Sequence, residues 1–236
     1  MSPADSSSPA AGGGAPFAVL DVDLEALAAN YAWFRATAAP ARVGAVVKAN
    51  AYGLGAVPVA RRLAAAGCAE FFVATCAEGA QLRPEIPAAT IYVLGGCLPG
   101  EARDFLHERL VPVLNTAEEV RAWVRDVPGA AAALQIDTGM NRRGLDAREI
   151  TALEREPQTL ARLRVELVLT HFACADDATQ PLNAEQVARF ELLRRRLPAA
   201  PTSIANSAGT LLGPGFRGDV VRPGLGLYGG RAPGHG

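Results

Sequence analysis

The run VGAVVK at residues 43–48 is apolar throughout and then ends on a cation, Lys48. Unbroken apolarity, as opposed to alternation, implies a strand buried on both faces, and parallel strands under a layer of helices provide that burial. Runs of the same kind recur along the chain: EFFVATC (70–76), TIYVLGG (90–96), LVPVLN (110–115), AALQID (132–137), VELVLTHFA (165–173), TSIANS (202–207) and DVVRPGLGLYG (219–229). Helical patterns lie between them, most clearly at 24–38, 56–66, 116–125 and 183–197; Thr116 followed by Glu119 has the form of a helix-start box. About eight such strand–helix repeats make an α/β fold of the (β/α)8 TIM-barrel type the expected architecture, ahead of an open doubly wound sheet. The run AVLDVD (18–23) precedes the first repeat and reads as a spare β segment that would pair outside the barrel.

The chain has 236 residues, which suits one large domain, placed at 17–230. Half of the residues are hydrophobic and the formal charge is −1, so there is material for a core and no field that would gather a polyanion. Nucleic acid is therefore not expected as a partner. Residues 1–16, MSPADSSSPAAGGGAP, read as a disordered tail with neither the cationic start nor the apolar stretch of a signal peptide. No window reaches the ~18 apolar residues of a membrane span, so a cytoplasmic protein with no membrane contact is the expectation. Cys68, Cys76, Cys97 and Cys174 form no CxxC pair and read as reduced structural thiols, with no metal site.

In a parallel barrel the chemistry collects at the C-terminal ends of the strands, so the polar residues that terminate apolar runs are the ones to weigh. Lys48, Asp137, His171, Asn206, Ser207 and Arg222 all do so. An amine desolvated at such a place loses basicity and becomes a nucleophile, although a lysine at a strand end is also a common snorkelling surface residue. Ser207, before an apparent helix start, offers a hydroxyl and backbone N–H groups to a phosphate, or else is an ordinary cap. Taken alone, Arg142 and Arg143 are equally well solvated loop charges, and a lone buried histidine such as His171 is usually structural.

Five segments taken together change these readings. VVKANAYGLG, DTGMNRRG (137–144), THFACADD (170–177), SIANSAGTL (203–211) and VRPGLGLYG (221–229) resemble, in the same order, segments of alanine racemases, with the likeness running from about residue 17 to 230. The resemblance implies a pyridoxal 5′-phosphate barrel that interconverts L- and D-alanine for peptidoglycan. In it Lys48 forms the internal aldimine and is the catalytic base on one face of Cα. Arg142 would point at the cofactor's phenolic oxygen and, with Met140, at the substrate carboxylate. His171 would sit near the pyridine ring and hydrogen-bond the arginine behind it, Arg222, which faces the ring nitrogen. Asn206, Ser207, Tyr52, Tyr228 and the backbone at Gly224 and Leu225 would hold the cofactor and its phosphate.

A guanidinium opposite the ring nitrogen leaves that nitrogen unprotonated, which disfavours a decarboxylase on the same barrel. The other reading is a stand-alone pyridoxal-phosphate barrel of the cofactor-homeostasis type, which binds the cofactor without turnover. The resemblance further implies an amino-acid substrate and a homodimer in the full-length form. Its opposite-face acid, a tyrosine from the second subunit's C-terminal β domain, matches none of Tyr31, Tyr52, Tyr92 or Tyr228. Residues 231–236 accordingly read as a truncated C-terminal end and the chain as an incomplete racemase. One departure lies inside the barrel: Gln135 stands where many members of the family carry a carbamylated lysine that orients the arginine.

Overall fold

The computed structural model describes residues 18–230; the expected tail at 1–16, Phe17 and the end at 231–236 lie outside the described residues. Among the described residues nine short strands carry the fold: β1 (Arg42–Val43), β2 (Ala45–Val46), β3 (Glu70–Val73), β4 (Thr90–Val93), β5 (Val111–Leu114), β6 (Ala131–Gln135), β7 (Arg164–Leu169), β8 (Thr202–Ser203) and β9 (Val220–Val221). Strands β2 to β8 form one parallel sheet in chain order, and β1 pairs in parallel with β9. Because β1 and β2 are one run broken at Gly44, that last pairing closes the sheet on itself. Gly44 N donates to Val221 O (2.9 Å) and Val46 N to Pro223 O (3.0 Å), while Asp219 N donates to Thr202 O (2.8 Å) and Arg222 N to Ala205 O (2.9 Å). The result is the expected barrel of eight strand positions.

The apolar runs are buried on both faces, and the pleat divides them into two cores. Val46, Phe72, Tyr92, Val111, Val113, Ala133, Leu167, Leu169 and Val220 point inward and fill the barrel. Their neighbours Ala45, Phe71, Val73, Ile91, Val93, Leu114, Leu134, Val168 and Val221 point outward against the helices. Helices Leu24–Ala38 and Ala56–Ala65 fall where the periodicity places them, as does Ala117–Asp126, whose cap Thr116 accepts from Glu119 N. Pro181–Arg194 begins two residues before the expected start and ends three before the expected end. The segment 18–23 lies apart from the barrel strands. It forms no strand: Val19 and Leu20 are exposed, and Asp23 instead caps the first helix through Glu25 N and Ala26 N.

On the face of the barrel remote from the strand C-termini, Arg83 holds two turns together. It is 6% exposed, and its guanidinium donates to the carbonyl oxygens of Ile86, Pro87, Ala89, Glu108 and Arg109. Removing the donor strands several buried acceptors at once, so Arg83→Met should cost about 3 kcal/mol or more in a urea melt. Arg121→Met, which removes a solvent-exposed pair with Glu156, should leave the midpoint nearly unchanged.

Candidate functional site

The alternation that fills the barrel also builds the site. Two residues beyond an inward-facing position the chain faces inward again, and here that step lands on polar groups: Val46 leads to Lys48, Ala133 to Gln135, Leu169 to His171 and Val220 to Arg222. Together they floor a cavity of about 1590 Å³ at the strand C-termini, larger than the ~300–1000 Å³ usual for one small ligand. Of the residues named from the sequence, Lys48, Tyr52, Arg142, His171, Asn206, Ser207, Arg222, Gly224 and Leu225 all line it. Met140 and Tyr228 do not. Met140 lies in the turn beneath Arg142, its N–H held by Asp137, and the Tyr228 hydroxyl is committed to Val46 O at 2.9 Å. Tyr228 instead backs Tyr52, the two rings standing 4.9 Å apart.

Arg222 is the deepest of these groups, 4% exposed, and among the described residues no carboxylate touches it. It donates to Ser203 Oγ and Thr170 O, both at 2.5 Å, and Nη2 lies 3.5 Å from His171 Nδ1. Burial pulls it down to about 10, so it stays a cation at neutral pH. His171 sits beside that charge. Burial first, then Arg222, Arg142 and Lys48, pushes the imidazole down to about 3, which keeps it neutral. The backbone of His171 is fixed from behind by Gln186, fully buried, whose amide donates to His171 O and Thr138 Oγ1 and accepts from Ala173 N.

Lys48 is the chain's single lysine. Burial, then the Arg142 charge, holds its amine below the ordinary lysine range, with Glu78 acting in the opposite direction. It opens a turn in which Ala49, Asn50, Ala51 and Tyr52 all have φ between 53° and 55°, a left-handed conformation that costs about 1–2 kcal/mol per residue. Local bonds over-determine it: Asn50 Oδ1 accepts from Ala56 N (2.8 Å), and Glu78 Oε1 accepts from Ala49 N (3.0 Å).

Arg142 comes from a turn organised by Asp137, whose Oδ1 accepts from the N–H groups of Gly139, Met140 and Asn141. Gly144 ends this turn, since a Cβ there would lie 2.5 Å from Asp137 N. Gln135 steadies the same turn by donating to Arg143 O (2.9 Å), and Arg143 in turn donates to Gly95 O (3.2 Å). No hydrogen-bond partner holds the Arg142 guanidinium among the described residues. It is left as a cation facing the cavity.

At the opposite wall Ser207 Oγ accepts from Gly224 N (3.0 Å) and Gly226 N (3.1 Å), and Asn206 Oδ1 accepts from Gly209 N (2.8 Å). Tyr52 abuts Gly224 so closely that a Cβ there would fall 2.3 Å from the hydroxyl. A hydroxyl, a phenol and converging backbone N–H groups make an anion cradle. Thr170, Ser203, Gln186 and Glu78 escaped the sequence reading. Glu78 alone carried a signal, being the third residue after the cap Thr75.

The described residues contain no group of acidic, histidine or cysteine side chains able to hold a metal, all four cysteines are free, and no helix is long and apolar enough to cross a membrane. The family profile that matches, over residues 22–232, is described as alanine racemase, N-terminal domain. Similar curated proteins are the alanine racemases of Rhodospirillum rubrum (45% identical, covering 90% of this chain and 59% of that protein) and Rhizobium meliloti (42%, covering 90% and 57%). Among solved structures, the Bartonella henselae alanine racemase with covalently bound pyridoxal phosphate superposes with a TM-score of 0.84 at 37% identity, covering 88% of this chain and 62% of that one. The chain thus spans less than two thirds of the length of these relatives. A closed parallel barrel whose top layer gathers one lysine, one buried arginine and a serine cradle, matched over nearly its whole length, belongs to the alanine racemase N-terminal domain family.

Proposed function

We propose that this barrel carries pyridoxal 5′-phosphate on Lys48 and serves the interconversion of L- and D-alanine. The observation that carries the reading is the pairing, in one layer of the barrel, of the chain's single lysine with a buried guanidinium that has no counter-ion. A buried cation of that kind asks for an uncharged acceptor such as a pyridine nitrogen, and the cradle at Ser207 and Gly224 suits a phosphate. When bound, the cofactor supplies the electron sink that acidifies the substrate Cα–H. Lys48 Nζ, made less basic by burial, would take and return that proton on its own face. Arg222 cannot accept a proton and so would leave the ring nitrogen unprotonated, which limits the sink and favours prompt return of the proton at Cα over decarboxylation. His171 is neutral and would orient the system without moving a proton. Arg142 would hold the phenolic oxygen and the substrate carboxylate. Met140, outside the cavity wall, and Tyr228, bonded to Val46 O, would support Arg142 and Tyr52 from behind.

Inversion also needs an acid on the other face of Cα. Among the described residues Tyr52 is the only tyrosine lining the cavity, and its hydroxyl abuts Gly224 in the cradle. We infer that a second subunit of a homodimer supplies the acid. Four unpaired cysteines suit a reducing compartment, and we place the protein in the cytoplasm.

Borohydride reduction of the cofactor-loaded chain, followed by peptide mapping, should place the label on Lys48, and Lys48→Ala should lose the absorbance of the linked cofactor entirely. Absorbance retained in Lys48→Ala would contradict the assignment. In deuterated water the polypeptide of residues 1–236 should exchange Cα of one alanine enantiomer with retention, and racemise slower by about 10²- to 10⁴-fold or more than an enzyme with both proton carriers. Racemisation at about 1 to 10³ per second would instead assign the second proton to a group within this chain, with Tyr52 the first to replace.

A further inference from the structure

The turn that opens with Lys48 is held from outside by one side chain. Glu78 lies in the first turn of the helix Cys76–Leu82, on the repeat that follows the lysine's own. Its carboxylate spans two loops, Oε1 accepting from Ala49 N at 3.0 Å and Oε2 from Ala74 N at 2.7 Å. Its own N–H donates to Thr75 Oγ1, so the helix start fixes where the carboxylate points. Ala49 is the residue after Lys48 and the first of four in the left-handed region. Without a partner for its N–H, the turn has less to offset its backbone cost. Ala74 O in turn accepts from Gly95 N, and Gly95 O accepts from Arg143, which ties the lysine turn to the arginine turn around the rim.

Resting on the reading of Lys48 as the cofactor's lysine, we propose that Glu78 is a positioning residue for Lys48, holding the left-handed turn so that Nζ meets the cofactor's aldehyde carbon. In the step it serves, Nζ bonds to that carbon, and the aldehyde oxygen leaves as water with the two amine protons. The same device recurs where no lysine is involved. Glu119 accepts from Asn115 N (2.8 Å), and Glu149 accepts from Ala117 N (2.9 Å) and Asp146 N (3.1 Å). These two staple the barrel's loops, and they separate a general structural role from the one assigned to Glu78. A glutamine at 78 keeps one acceptor but turns an NH₂ group toward the second N–H, so one of the two bonds is lost and replaced by a donor facing a donor.

The test compares binding of pyridoxal 5′-phosphate with that of pyridoxine 5′-phosphate, whose hydroxymethyl carbon cannot condense with an amine. Both are titrated into the 236-residue chain, and the ratio of the two dissociation constants reports the link to Lys48 alone. In Glu78→Gln that ratio should fall by roughly tenfold or more toward the value in Lys48→Ala, with pyridoxine phosphate affinity within about twofold of the unmodified chain. Glu119→Gln should lower the melting temperature and leave the ratio unchanged. An unchanged ratio in Glu78→Gln, or an equal loss of affinity for both compounds, overturns the proposal. Should Glu78→Gln fail to fold, Glu78→Asp, whose carboxylate is one methylene short of Ala49 N, is read by the same ratio. Equal affinities for the two compounds in the unmodified chain would sink the reading of Lys48 itself, and the positioning role with it.

Discussion

Burying a guanidinium costs several kcal/mol even after relaxation, and at Arg222 no carboxylate offsets that cost. What holds it is neutral: a serine hydroxyl on β8, a backbone carbonyl after β7, and the edge of the histidine. The Phe72 ring, 6.0 Å away on β3, adds a weak cation–π contact from the barrel core. Three strands, β3, β7 and β8, therefore contribute to keeping one charge. That charge acts on its surroundings in turn: after burial itself, it is the next cause that keeps the imidazole of His171 neutral. The floor of the site gathers three basic side chains, Arg222, Arg142 and Lys48, around one neutral histidine.

The second constraint is geometric. A strand that runs inward at Val46 delivers Lys48 inward two residues later, yet the chain must then leave the barrel without covering the cavity. It does so through a left-handed turn that no run of L-residues adopts unaided. The bonds from Asn50 and Glu78 make that turn possible, and the one from Glu78 joins the repeat of β2 to the repeat of β3. Packing, backbone strain and the placing of the amine are thus one problem, solved at the junction between two repeats.

Much of this was legible in the sequence because a parallel barrel writes itself as apolar runs, and because several runs end on a polar residue that the pleat turns into the cavity. Lys48, His171 and Arg222 were visible on that ground alone. Short elements were harder. The helices Cys76–Leu82, Ala102–His107 and Ala147–Glu154 have eight residues or fewer, too little for a 3.6-residue period to declare itself. The segment 18–23 alternates apolar and acidic residues as an edge strand would, but Asp23 is spent on capping a helix and no neighbouring strand lies alongside. Nothing local marks Gln186, whose three bonds reach loops 13 to 48 residues away. The motif at Tyr228 points to the cofactor, and only the fold shows its hydroxyl turned to Val46 O instead of the cavity.

The central claim is that a buried, uncompensated cation at Arg222 faces a ring nitrogen. It is tested most directly by nitrogen-15 NMR of ring-labelled pyridoxal 5′-phosphate bound to the chain and titrated across the neutral pH range. The account predicts a chemical shift typical of an unprotonated, hydrogen-bonded pyridine that does not change with pH. A pyridinium-type shift anywhere in that range would contradict it.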